Sequence, residues 1–285
     1  MILPLRALWF AAHGAFRALG FRSRLLRVGE RTLHVYDRAG KGAAPAVLLV
    51  HGMGGNAGGF VYVVRALLRA SRRVVALELP GHGRSRLLRG EAPATIVESG
   101  QAVAAALRDL GEPAVMIGSS LGGALSLFTA AAQPQSVVAV VGLNPAGAPL
   151  EGADREAVLE AFRGGSARAA METHRKLYRK PPRMSWLFAR GIGKHWASPP
   201  VQQFASEIRA GYQGLGKDVL SSVRQPVLIL WGEEDRILPG ASVDYFRTHL
   251  PNAAVEVVPG AGHLPMMEQP RVVAARIVRF LGELA

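Results

Sequence analysis

Gly118-x-Ser120-x-Gly122 closes the apolar run Met116-Ile117 and opens an alanine- and leucine-rich segment of helical pattern. Read as strand, sharp turn and helix, it presents Ser120 at the apex as a nucleophile. Side chains flanking such an elbow would strike the adjoining strand and helix, so Gly118 and Gly122 make room for the turn. The N–H of Leu121 then falls in the first turn of a helix, where unpaired donors and the helix dipole favour negative charge. That is a place for an oxyanion.

Serine is a weak nucleophile until a base takes its proton, and the base needs an acid to orient it. Two later loops offer both. Residues 231–239 hold Glu233, Glu234 and Asp235 just beyond one apolar run, and residues 259–265 hold His263 just beyond the next. The order along the chain is serine, acid, histidine.

A scaffold must bring these loops together. Residues 46–50, 73–79, 114–117, 137–143, 227–231 and 255–258 read as strands, several of them continuously apolar as expected where both faces are covered. Helical patterns at 60–70, 96–110, 121–132, 242–250 and 270–284 alternate with them. Such alternation predicts an α/β fold with right-handed crossovers, a mostly parallel central sheet flanked by helices, and ligand sites beyond the carboxyl ends of the strands. Residues 24–28 and 32–36 read instead as an antiparallel hairpin, with His34 as a partly exposed strand residue.

The alternation breaks from 149 to 222, which carries helical stretches, basic residues and stops at Pro181-Pro182 and Pro199-Pro200. This predicts a helical cap, or lid, inserted at 148–224 between core segments 23–147 and 225–285. Residues 3–21 are apolar with Arg6, His13 and Arg17, continued by Arg24, spaced onto one face, so 1–22 is expected to be an amphipathic helix. Charge interrupts it too early for a membrane span.

With 285 residues and 49% apolar side chains, the chain can bury a full core, and without cysteine it has no disulfide, thiolate metal site or cysteine nucleophile. The net charge of +13 is unevenly placed: residues 1–42 carry 8 basic and 2 acidic side chains and 148–224 carry 13 and 7, whereas 225–285 carry 5 and 7. No nucleic-acid recognition motif accompanies this excess, so nucleic acid is not an expected partner. Contact with an anionic membrane surface through the N-terminal helix and cap stays open, as does a plain preference for arginine. The expected location is cytoplasmic, with peripheral membrane attachment as an alternative.

Several motifs in order carry a resemblance: His51-Gly52 after a strand, Gly81-His82-Gly83-x-Ser85, the Gly118-to-Gly122 elbow, Gly232-x-x-Asp235-x-x-x-Pro239, and Gly262-His263-x-x-x-x-Glu268-x-Pro270. Over roughly residues 23–285, the cap excepted, the chain resembles the α/β-hydrolase fold superfamily, and within it the capped microbial serine esterases, lipases and carbon–carbon bond hydrolases. The resemblance implies a catalytic triad of Ser120, Asp235 and His263, with Glu233 and Glu234 solvated, and an oxyanion hole from the N–H groups of Leu121 and Met53. It implies no metal or cofactor. His51 and His82 would order their loops, and Glu268 the start of the last helix. A serine elbow argues against the dehalogenases and epoxide hydrolases, which use aspartate there. Leu264 stands where the carbon–carbon hydrolases place tryptophan, which weakens that alternative; acyl transfer is the other.

The cap offers Tyr178, Trp186, Leu187, Phe188, Trp196, Phe204 and Tyr212, enough to line an acyl pocket, with about half expected in packing. The expected activity is hydrolysis of small carboxylic esters with apolar acyl groups, as by a carboxylesterase or lipase.

Overall fold

Eight strands form one sheet in the computed structural model, which describes residues 5–284. Residues 1–4 and the side chain of Arg6, part of the expected N-terminal helix, lie outside the described residues. The strands are β1 (Arg22–Val28), β2 (Arg31–Ala39), β3 (Ala46–Val50), β4 (Arg73–Leu77), β5 (Ala114–Ser119), β6 (Val137–Leu143), β7 (Val227–Gly232) and β8 (Ala253–Val258), in the spatial order β1-β2-β4-β3-β5-β6-β7-β8. The β1–β2 hairpin is antiparallel and joins β4 antiparallel, while β3 to β8 run parallel. Val50 pairs with Gly118, Gly118 with Gly142, Leu143 with Leu230 and Gly232 with Val258. The carboxyl ends of five strands therefore share one edge, and every loop with a candidate residue leaves from it.

The helices are α1 (Leu5–Ala18), α2 (Val64–Ala70), α3 (Ile96–Leu110), α4 (Leu121–Ala132), α5 (Gly152–Ala161), α6 (Ala167–Leu177), α7 (Ala189–Trp196), α8 (Pro199–Arg209), α9 (Lys217–Ser222), α10 (Ala241–His249), α11 (Pro265–Glu268) and α12 (Pro270–Gly282). Alternate residues of each strand enter opposite layers. Leu48, Val75, Met116, Val140 and Ile229 pack with Val103 and Leu107 of α3 and Leu125 of α4. On the other face, Leu49, Val74, Ile117 and Val141 pack with Leu67 of α2 and Ile277 of α12. Burial on both faces is why these strands read as unbroken apolar runs; each such side chain contributes about 1.5–3 kcal/mol. Between β6 and β7 the chain forms only helices, α5 to α9. Pro199 and Pro200 are not stops: they open α8, where the missing N–H costs nothing.

The expected polar stripe of α1 does not reach Arg24, because the helix ends at Ala18, Gly20 turns at φ +81°, and Arg24 lies in β1 paired with Asp37 and Asp109. His13 bonds Tyr36 Oη at 2.9 Å, Phe16 is fully buried, and Leu8 and Phe10 are 44% and 61% exposed. His34, expected to be partly exposed, is only 3% exposed, since His13 of α1 meets its ring edge-on from above β2 and Tyr36, two residues along the same strand face, flanks it. Among the described residues no helix is long and apolar enough to cross a membrane.

Candidate active site

Ser120 has φ 52° and ψ −120°, a left-handed conformation that side chains rarely adopt. Close packing enforces it. A Cβ on Gly118 would lie 2.2 Å from Gly122 O, and one on Gly122 would lie 2.1 Å from Val50 O. The elbow is pinned to β6 and to the loop that follows it, with Ser120 N–H donating to Leu143 O at 3.1 Å and Ala146 N–H donating to Ser120 O at 3.0 Å. Gly52 approaches so closely that a Cβ there would sit 2.9 Å from Ser120 Cβ. The His51–Gly55 loop thus lies against the serine. Neither the Leu121 nor the Met53 N–H has a hydrogen-bond partner among the described residues.

Asp235 and His263 meet: His263 Nδ1–H donates to Asp235 Oδ2 at 2.8 Å, both side chains buried. That bond sets the tautomer and leaves Nε2 bare; it is buried without a hydrogen-bond partner. Ser120 Oγ and His263 make no hydrogen bond in this arrangement, a contact that often tightens only around substrate. Ile237 and Leu238 N–H donate to Asp235 Oδ1 at 2.7 and 3.1 Å. Burial pushes the Asp235 carboxyl up, but its electrostatic interaction and hydrogen bond with His263, together with the Ile237 and Leu238 N–H groups, outweigh it and hold the group below its ordinary value. It stays a carboxylate.

Asn144, one residue past β6, completes the cluster, and nothing in the sequence pattern singled it out. Its Nδ2 donates to Asp235 Oδ2 at 2.6 Å and its Oδ1 accepts Gly232 N–H at 3.0 Å. Its own φ is 42°. The available signal was a polar residue directly after a buried strand at the motif-bearing edge.

Glu233 and Glu234 take other partners: Glu233 accepts Gly260 N–H, and Glu234 pairs with Arg179 and Arg236. Glu268, expected to order the last helix, does something else. It accepts Gly262 N–H at 2.7 Å and the N–H groups of Arg179 and Lys180 at 3.0 Å each, binding the inserted helices to the loop of His263. His51 and His82 do order their loops. His51 Nε2 accepts Leu79 N–H at 3.0 Å, and His82 Nε2 accepts Gly54 N–H at 3.1 Å. Burial lowers both, to about 4 for His51 and about 3 for His82, so both act as neutral rings.

Beside Ser120, Met53 and Leu121 opens an apolar pocket, about 630 Å³ with its solvent-open mouth included, walled by Leu150, Val158, Phe162, Phe204, Ile208, Tyr212, Ile237 and Leu238. Of the expected aromatics, Phe204 and Tyr212 line it; Tyr178 and Trp196 are buried in packing and Trp186 is 64% exposed. Phe162 lines it unforeseen. No group of three or more metal-ligating side chains comes together among the described residues.

Residues 47–276 match the alpha/beta hydrolase family, and the chain belongs to it. It is 32% identical to the dihydrolipoyllysine-residue acetyltransferase component of the acetoin cleaving system of Pseudomonas putida, over 97% of this chain and 74% of the relative. It is 24% identical to human monoacylglycerol lipase ABHD6, over 94% of this chain and 84% of that one. Among solved structures, a bacterial membrane phospholipase A superposes with a TM-score of 0.84 at 23% identity, covering 98% of this chain and 92% of that one. The carboxylesterase CesB of Bacillus subtilis gives 0.76 at 21%, covering 96% and 98%. These structural likenesses concern the fold.

Proposed function

We propose that the protein is a serine hydrolase that cleaves carboxylic esters with apolar acyl groups through an acyl-enzyme. In this reading His263 Nε2 takes the proton of Ser120, and Oγ attacks the ester carbonyl. The oxyanion lies on the N–H groups of Met53 and Leu121, each such donor typically lowering a barrier by ~3 kcal/mol. His263 gives its proton to the departing alcohol, and water repeats the sequence to release the acid while Asp235 steadies the imidazolium. The observation that carries the reading is the apolar pocket opening beside Ser120, Met53 and Leu121. It has room for an acyl chain and few groups to hydrogen-bond anything else. Rates on p-nitrophenyl esters of increasing acyl length, with Ser120→Ala as control, test it. Silence on every ester, or activity surviving in S120A, overturns it.

Acyl transfer to an alcohol or amine is the second reading, favoured by the name of the Pseudomonas putida relative. Product analysis with an added nucleophile separates the two.

We also propose contact with anionic lipid surfaces. The exposed Leu8 and Phe10 of α1 support it, together with exposed Arg84 and Arg86 around the hollow under Trp9 and Phe10. Exposed Arg190 and Lys194 lie on α7 beside the residues that touch α1. Deleting α1 would remove the buried Phe16, so the clean test is Leu8→Glu with Phe10→Glu. Sedimentation with phosphatidylglycerol vesicles should fall in that variant; equal binding removes the idea.

A further inference from the structure

Gly54, next to the proposed oxyanion donor Met53, is held from both sides. Its N–H donates to His82 Nε2 at 3.1 Å, and its carbonyl accepts from His195 Nε2–H at 2.7 Å. His82 belongs to the core, whereas His195 comes from α7 in the inserted segment, 141 residues away in sequence. Gly54 has φ +66°, and a Cβ there would lie 2.2 Å from Trp196 Cζ3. The neighbouring tryptophan of α7 therefore covers the same residue. Phe204 of α8 stacks on His82 at 5.6 Å and 11° between planes. The inserted helices thus carry one of the two histidines that hold Gly54 and stack on the other, whose Nδ1–H donates to Pro80 O at 2.9 Å.

What this grip does follows from peptide geometry. Residues 52–55 form a turn closed by Gly55 N–H donating to Gly52 O at 3.0 Å, and His51 Nδ1–H donates to the same oxygen at 2.8 Å. In a trans peptide the C=O and N–H point in opposite directions, so fixing Gly52 O aims the Met53 N–H away from it. Gly54 occupies the third position of the turn, where positive φ is required. If its carbonyl swings, the turn opens and Met53 loses its aim.

We propose that His195 is a positioning residue of the oxyanion hole, acting through the Gly54 carbonyl to keep the Met53 N–H directed at the reacting centre. This rests on the hydrolase reading above. It makes the inserted segment a working part of the charge-stabilising apparatus as well as a wall of the pocket. Trp9 of α1 meets the edge of the His195 ring at 5.0 Å, so the N-terminal helix buttresses the same contact.

The test compares His195→Leu, which loses the donor, with His195→Gln, whose amide can donate from a similar reach. Both are measured for kcat and KM on the best p-nitrophenyl ester and for the rate at which a p-nitrophenyl phosphonate labels Ser120. Phosphonylation builds the same negative oxygen without needing ester turnover. The expected result for H195L is a fall of about tenfold or more in kcat and in labelling rate, with KM changed by less than about twofold, and recovery of most of both in H195Q. If H195L does not fold, His195→Asn, polar but too short, takes its place with the same expectation. An unchanged labelling rate, a change confined to KM, or failure of H195Q to recover overturns the proposal. Wild-type protein that is labelled at Ser120 yet hydrolyses no ester overturns the ester reading alone, and labelling still decides the role of His195.

Discussion

Asn144 and Asp235 are joined by a 2.6 Å hydrogen bond, while the other end of the same Asn144 amide receives Gly232 N–H. One side chain therefore fixes the carboxylate and the start of its loop to the end of β6, the strand to which Ser120 is also tied. Asn144→Ala should lower kcat by roughly 10- to 100-fold, because the Asp235 carboxylate loses one of the donors that orient it toward His263. The orphaned Gly232 N–H should cost ~1–3 kcal/mol, measured by urea unfolding. Asn144→Gly relieves the left-handed backbone and should recover some stability but no activity; activity regained in N144G would mean that the backbone, not the amide, matters.

Glu78 is buried beneath α1, with Oε2 accepting Arg84 N–H and lying 3.5 Å from His34 Nδ1, which makes no hydrogen bond among the described residues. Burial raises its carboxyl from 4.5 to about 7, with the hydrogen bonds from Arg84 and Ala57 opposing. The folded protein then keeps a proton that the unfolded chain has released, so stability falls as pH rises from 4.5 to 7 and levels off above, by ~3 kcal/mol in all. Glu78→Gln should remove that slope. The depressed histidines His34, His51 and His82 give an opposite slope below 6.5. Because His34 lies against Glu78, the two unfolding curves are compared with His34→Gln in both backgrounds, so that their difference isolates Glu78. Identical pH profiles would refute it.

Ile208 of α8 lines the apolar pocket beside Ser120 while keeping part of its surface exposed, so a larger side chain can enter without disturbing the core. Ile208→Trp should shift the preferred acyl length downward. Each excluded methylene forfeits ~0.8 kcal/mol, so kcat/KM for a long-chain ester should drop tenfold or more relative to the acetate. A uniform change across chain lengths would place the acyl group elsewhere.

Much of the scaffold was legible in sequence because it is periodic. Residues 96–110, 121–132 and 137–143 fall within the expected elements to the residue, since each pattern reports burial against immediate layers. The Ser120 elbow was legible because steric demand leaves only glycine beside it. Asn144, His195 and Glu268 were obscure for the opposite reason: their partners lie 91, 141 and up to 89 residues away. His34 looked half exposed because the strand pattern cannot show that α1 covers it.

Glu268 gathers three backbone N–H groups, Gly262 from the loop of His263 and Arg179 and Lys180 from the inserted segment, onto one carboxylate. A carboxylate has lone pairs for all three, whereas a glutamine oxygen can serve at most two and its amide would face the third donor. The Gly262 backbone also packs directly against the inserted segment, since a Cβ there would lie 2.8 Å from Arg179 N. Glu268→Ala should therefore cost about 2–3 kcal/mol of stability and lower kcat roughly tenfold by loosening the residue before His263. Glu268→Gln should lie between wild type and alanine in both. Limited proteolysis adds a separate reading, because freeing the 179–180 turn exposes the Arg179–Lys180 bond to trypsin, the Lys180–Pro181 bond being resistant. If E268A is cut there no faster than wild type while keeping full activity, Glu268 does not couple the inserted helices to the histidine loop.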